Sequence, residues 1–494
     1  MRYCPMVRRL AWAPLLLLGV APLALPAAAA PRCAGVVDAS RTPDRGEGEE
    51  SLSVNPRNPQ QLLLGSNQFD PAVAGAPVSA GGLMEAASWV SQDGGCTWRA
   101  LGLETLGGVA DVANPLPVGP REYRNVGNVL SSDQHSVWDR DGTLYYEAGF
   151  LGGVGVDGDQ RAVVWRSVDG GRRFGPPVVA YSANGNTAPA GSSYPTTVPE
   201  LDRPWLAVDR SGGPRDGTVY MTLATGPFAF GLPAEVYVVS SQDHGHTWSP
   251  STRVDTGTYS TQQNPREMPA VGADGTLYVL YDVAPVTSTT LPVPQVSPVS
   301  LVLARSTDGG RTFSRSVVDA DVHRVTDPDE ALPVYTETIT SIAADPRRPG
   351  HLAVAWPEAD AGGSHVVLRT STDGGRHWAP RHRVGGQAER DQQDHVTLAY
   401  TPSGELVVVW RDRGASGGTW QSRFEVWARL LGHRAVQVTT GPQQPTVLHR
   451  GGPIMPSEFL GLATTPTHVL VSWDQLVGSL PDNMFRALPL ARLR

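Results

Sequence analysis

The sequence contains no lysine; all 40 of its basic residues are arginine. This excludes Schiff-base chemistry through a lysine amine. It also makes any single arginine weak evidence for a binding site, because arginine fills every cationic position. Charge of either sign is scarce at 18% of residues, too little for a charged coiled or disordered chain. Acid exceeds base, with a formal net charge of -8, which argues against nucleic acid and anionic membrane surfaces as partners. Cysteine is nearly absent, with three residues in 494, and no long apolar run follows the first 30 residues.

Residues 1–30 read as a signal peptide. Arg2, Arg8 and Arg9 form its basic end, Leu10 to Leu25 its apolar stretch and Ala28-Ala29-Ala30 its cleavage site. A membrane anchor fits less well, because Pro14, Pro22 and Pro26 interrupt the stretch. The expected location is secreted or periplasmic, with no membrane span once the signal is removed. Cys4 would leave with it, and a disulfide is expected between the remaining Cys33 and Cys96. Three arginines and no acid would leave too, taking the formal charge from -8 to -11.

What the chain has in quantity is turns: 54 Gly and 43 Pro accompany a 40% hydrophobic content. Five segments share the pattern Ser-x-Asp-x-Gly-x-x-aromatic: Ser91 to Trp98, Ser167 to Phe174, Ser241 to Trp248, Ser306 to Phe313 and Ser371 to Trp378. Each suits a hairpin turn. The aspartates (Asp93, Asp169, Asp243, Asp308, Asp373) can accept turn N–H groups, the glycines permit positive φ, and the aromatic residue can bury between sheets. A second unit, apolar strand, turn, apolar strand, starts near Ser51, Ser136, Trp205, Pro269, Thr340, Val396 and Phe459, which makes seven copies.

The five-fold pattern resembles the Asp-box (BNR) repeat of sialidases and related propellers. The resemblance implies an all-β propeller of four-stranded blades, and that the five aspartates are structural, not catalytic. Seven units favour seven blades; six, the sialidase count, is the alternative if one unit is an appendage. Residues 31–494 then form one propeller domain, in which Gly35 to Ser40 supplies the outer strand that the last blade lacks and so closes the ring. Blade six, with FEVWARLL from Phe424, has a degenerate turn.

In such blades the A–B and C–D turns share one face and the B–C and D–A connections share the other. The second set carries the long insertions: Phe69 to Ala87, Gly102 to Ser131, Leu151 to Arg161, Ser182 to Leu201, Ala284 to Ser300 and Arg413 to Arg423. Alignment of the units puts Glu49, Asp133, Arg203, Arg266 and His395 in one column before the innermost strands, with Asp202, Glu267, Glu337, Asp394 and Glu458 beside it. Polar groups so placed converge on the channel mouth. Glu267, Asp394, His395 and Glu337 are the catalytic candidates. Asp133, Asp202, Arg203, Arg266, Arg411 and Glu458 are the substrate-binding ones.

These residue types fit action on a glycan, since glycoside hydrolysis needs paired carboxylates. The family resemblance would also imply an Arg-Ile-Pro type motif ahead of the first box. Here Tyr123-Arg124-Asn125-Val126 is the nearest match, follows that box and lacks the proline, which counts against strict sialidase activity. The alternative is a non-catalytic platform for a carbohydrate or a cell-surface protein. A lyase built on His395 and Tyr146 has only residue types in its favour. No cofactor or metal is expected, because Asp157 and Asp159 alone lack a calcium-binding frame, and a monomer is expected.

Overall fold

The computed structural model describes residues 1, 33, 35–42, 46–69, 84–101, 130–151, 161–182, 200–226, 235–255, 267–283, 298–325, 340–361, 363–385, 392–414, 423–443, 459–478 and 480–494. Residues 2–32, where the sequence leads one to expect a signal peptide, and most of the long connections lie outside them. The described strands form seven four-stranded antiparallel sheets arranged as a β-propeller. The innermost strands A are Gly46–Val54, Leu130–Trp138, Glu200–Val208, Met268–Val271, Ser341–Ala344, Gln393–Tyr400 and Gly461–Thr464. In the first six blades, strands B, C and D follow outward in chain order.

Blade seven differs. Its third strand, Leu480–Pro489, pairs with His468–Val477 on one side and with Val37–Asp38 on the other. The first described strand is therefore the last strand of the ring, and the sheet edge is covered. Cys33 and Cys96 are joined, with a Cα–Cα distance of 5.3 Å, which ties the start of that strand to the turn of blade one. Among the described residues no helix is long and apolar enough to cross a membrane.

The apolar pattern follows from burial on two sides. Strands B read as continuous apolar runs, such as Leu62 to Leu64 and Val407 to Trp410, because a blade is covered by a neighbour on each face. The described core accordingly divides into seven clusters, one at each blade interface. Trp138, Trp165, Trp356, Trp410 and Trp473 are fully buried within them.

The five Ser-x-Asp turns share one hydrogen-bond scheme. Each serine hydroxyl donates to its aspartate at 2.7–3.0 Å and accepts the glycine N–H at 2.8–3.0 Å. The aspartate accepts further turn N–H groups, as Asp373 does from Arg376 and His377. The Thr247 hydroxyl and the turn N–H groups hold Asp243 down at about 2. These carboxylates are thus occupied in shaping the turn.

The conserved geometry of that glycine has a packing reason as well. Gly95 meets Phe485 of blade seven, Gly171 meets Val90 of blade one and Gly375 meets Leu303 of blade four, so each turn seats on the blade before it. A Cβ on Gly95 (φ +92°) would lie 2.1 Å from the Phe485 ring, whereas one on Gly432 (φ +89°), in the boxless turn of blade six, meets nothing within 4 Å. Gly432→Ala should cost only left-handed strain, about 1–2 kcal/mol. Gly95→Ala adds overpacking of about 1–3 kcal/mol. Denaturant titration of both variants checks this, and equal losses would contradict the seating of the turn.

Candidate functional site

Strand A runs toward the A–B turn, so its first residues lie at the opposite end of the channel from the Ser-x-Asp turns. That the A–B and C–D turns share a face is visible in direct bonds: Gly94 N–H donates to Gln60 O at 2.9 Å, and Gln61 Nε2 to Gln92 Oε1 at 3.3 Å.

At the other end, four blades carry the same distortion. The A–B register shifts between Gly48 and Ser51, Ser132 and His135, Asp202 and Trp205, and Asp394 and Thr397. Within each bulge one residue is left-handed: Glu49 (φ +65°), Asp133 (+55°), Arg203 (+50°) and His395 (+49°). These are four of the five residues in the column that the sequence aligns; the fifth, Arg266, lies outside the described residues. Left-handed backbone at a non-glycine residue costs on the order of 1–2 kcal/mol, and bulges of this kind re-aim side chains. The repetition of the distortion at one level of the ring makes that level the candidate site.

The column is bonded from blade to blade. Asn67 donates to the Glu49 carboxylate and accepts the Asp133 N–H at 3.2 Å. Asp133 Oδ2 in turn accepts the Arg203 N–H at 3.4 Å, and Gln134 Nε2 donates to Glu49 O at 3.1 Å. Below the column the inner strands form a cavity of about 160 Å³, lined by Glu50, His135, Trp205, Met268, Ser341, Val396 and Phe459 among others. Its aromatic wall is continuous: His135 and Trp205 are 4.7 Å apart by ring centroid and Trp205 and Phe459 5.0 Å, with the Arg203 guanidinium 5.5 Å over Phe459. Burial pushes His135 down to about 3, and its Nδ1 accepts the Leu206 N–H at 3.2 Å, so it is neutral.

Two glutamates stand out electrostatically. Glu267, which precedes the inner strand of blade four, and Glu147, on the second strand of blade two opposite His135, are buried. Both carboxylate oxygens of each lack a hydrogen-bond partner at bonding geometry among the described residues. Burial holds both well above the usual carboxylate range. The charge of Asp133 raises each further, Asp202 adds to Glu267, and Arg203 partly offsets this. Asp133 of blade two and Glu267 of blade four thus act on one another, with Arg203 of blade three acting on Glu267 as well.

Asp394 and His395 behave differently. Asp394 accepts from Arg411 Nε at 2.6 Å and Arg413 Nε at 2.8 Å, and its Oδ1 lies 2.9 Å from His395 Nδ1. Burial alone would raise this carboxyl, but Arg411, Arg413 and His395 hold it far below the usual range. Arg411 also lies 5.4 Å over the Phe424 ring. The network ties the inner two strands of blade six together. Glu337 and Glu458 lie outside the described residues, as do Asp157 and Asp159. Tyr146, the partner proposed for His395, is buried against Trp165 in the core between blades one and two. Glu147 escaped sequence reasoning because it sits inside an apolar strand, where the only signal was a carboxylate in a run otherwise fit for a core.

The opposite mouth encloses a larger cavity, about 370 Å³, but Pro56, Pro59, Pro346, Pro402 and Pro466 dominate its lining and no carboxyl group contributes. Among the described residues no group of three or more His, Cys, Asp or Glu is arranged to hold a metal ion.

No protein-family model and no curated protein matches the chain. Similar solved structures include a protein of unknown function from Dyadobacter fermentans, at 13% identity over 92% of this chain and 98% of that one, with a TM-score of 0.45. The NanB sialidase from Streptococcus pneumoniae is 12% identical over 92% and 70%, with a TM-score of 0.44. The Hadza microbial sialidase Hz136 is 15% identical over 74% and 66%, with a TM-score of 0.43.

If the Asp394 network is structural, Asp394→Ala leaves two buried arginines without their counter-ion and should cost about 3–5 kcal/mol. Because the carboxyl is held low, its contribution is complete above its ordinary value of 3.8 and fades only as pH falls below that. Urea unfolding at neutral pH tests this; unchanged stability would return Asp394 to the catalytic candidates.

Proposed function

We propose that this chain acts on a glycan held at the channel mouth opposite the Ser-x-Asp turns, cleaving a glycosidic bond. The observation that carries the reading is that the charge of Asp133 reaches both Glu147 and Glu267, with Arg203 acting on Glu267 and an aromatic wall of His135, Trp205 and Phe459 nearby. Glycoside hydrolysis pairs a carboxyl group kept protonated with a second one that stays ionised. Glu267, raised by burial and by neighbouring acids, suits the proton donor. Asp133, held in a left-handed bulge and half-buried, suits the partner carboxylate. Trp205 and Phe459 offer flat apolar faces on which a sugar ring can stack, and Arg203 a hydroxyl or carboxylate donor. Export and removal of the signal segment would place this site outside the cytoplasm.

A second reading, binding without chemistry, draws on the depth of the two glutamates: exposures of 0% for Glu147 and 1% for Glu267 suit a polar floor beneath a ligand as well as a proton donor.

A screen of the purified protein against sialosides, neutral glycosides and uronate polymers separates the two. For a hydrolase, Glu267→Gln and Asp133→Asn should each lower kcat on the order of 100-fold or more with little change in KM. Because the proton donor must be protonated, kcat/KM should fall as pH rises through its elevated value, and Glu267→Gln should remove that alkaline limb. Binding without turnover, weakened by the same substitutions, selects the second reading. Full turnover in both variants would overturn the site.

A further inference from the structure

The strand that closes the ring is short, and its mouth-side end converges on one buried carboxyl group. Val37 and Asp38 pair with Phe485 and Met484 of blade seven, and Ala39 N–H donates to Asn483 O at 2.8 Å. Ser40 then bridges two blades: its hydroxyl accepts the Asn483 N–H at 3.0 Å and donates to Glu47 Oε2 at 3.0 Å. Thr42 Oγ1 and Gln68 Nε2 donate to Glu47 Oε1, the latter at 2.9 Å. Glu47, on the inner strand of blade one, has no solvent exposure, and the charge of Asp482, on the third strand of blade seven, acts on it.

The charged groups around this contact are nearly all acidic. Asp482 faces it from blade seven and Asp38 from the closing strand, while blade one contributes the neutral Gln68. Among the described residues the nearby cation is Arg41, which is exposed and turns back to Asp38, donating its N–H to Asp38 Oδ1 at 2.9 Å and its Nε to Asp38 O at 3.2 Å. Among the described residues neither Glu47 nor Asp482 has a basic partner. Two adjacent carboxyl groups with no counter-ion among the described residues cannot both ionise cheaply.

We propose that the closing strand is a pH-operated strap: a proton shared by Glu47 and Asp482 locks its mouth-side end across blades one and seven, and loss of that proton loosens it, while the Cys33–Cys96 disulfide keeps the other end tied. Burial, with the Asp482 charge, pushes Glu47 up to about 8 against the Gln68, Thr42 and Ser40 hydrogen bonds. Burial and the Asp38 charge push Asp482 up to about 6. Since both values are raised in the closed ring, closure binds protons. The stabilisation is complete below the ordinary carboxyl values of 3.8–4.5. It fades as pH rises through about 6 to about 8 and is flat beyond. The lock bears on the mouth through the chain itself, because Glu49, two residues beyond Glu47, is the blade-one member of the left-handed column.

The test is hydrogen exchange on the full-length, disulfide-intact protein between pH 5 and 9, with rates corrected for intrinsic exchange. Protection of residues 36–50 and 480–488 should fall at least tenfold from pH 5.5 to 8.5, while blade three, at 219–226, serves as the internal reference. Glu47→Gln, the isostere of the protonated acid, should keep acid-like protection at every pH. Asp482→Asn, which removes the repelling charge, should move the midpoint of the fall to lower pH. A flat wild-type profile, a pH response that survives in Glu47→Gln, or an unmoved midpoint in Asp482→Asn overturns the proposal.

Discussion

Each blade of this protein is a sheet that must be covered on both faces, and only its two neighbours can do so. That requirement governs the rest. It forces the B strands to be apolar throughout, places one hydrophobic cluster at each of the seven interfaces, and makes an open ring untenable, because the first and last blades would each expose a face of the same kind. The Ser-x-Asp turns serve the same end, since Gly95, Gly171 and Gly375 let one blade seat on its neighbour closer than a side chain would permit.

Closure also creates the site. Seven inner strands directed at one axis bring residues far apart in sequence within electrostatic reach, as with Asp133, Arg203 and Glu267. The bulges at Glu49, Asp133, Arg203 and His395 show that the chain bears backbone strain at one end of the channel in four separate blades. Among the described residues the turn end has no comparable column of left-handed non-glycine residues. Its aspartates are bound up in their own loops, and its mouth is lined by five prolines together with Arg210, Asn55 and hydroxyl side chains but no carboxyl group. The asymmetry between the two ends is the structural basis for placing function at one and architecture at the other.

Much of this was legible in the sequence. Five turn motifs and seven strand–turn–strand units led to a propeller with seven blades favoured, and their alignment picked out the level at which the backbone turns left-handed. What alignment could not supply was pairing. Asp394 reads as a free acid until Arg411 and Arg413, 17 and 19 residues later, are brought to it by the strand register. Glu147 reads as an exception in a core strand until Asp133 is placed beside it. Glu47 and Asp482 are at opposite ends of the chain, and only ring closure makes them neighbours. Charge interactions between distant segments depend on distances that spacing along the chain does not encode.

The central claim is that ligand and chemistry belong to the end of the channel remote from the Ser-x-Asp turns. The most direct measurement is a solved structure of the protein with a glycan that it binds. The account predicts the sugar at the bulged end, in contact with Asp133 and stacked against Trp205 or Phe459. A glycan seated instead at the proline-lined mouth, between Pro346 and Pro402, would contradict it.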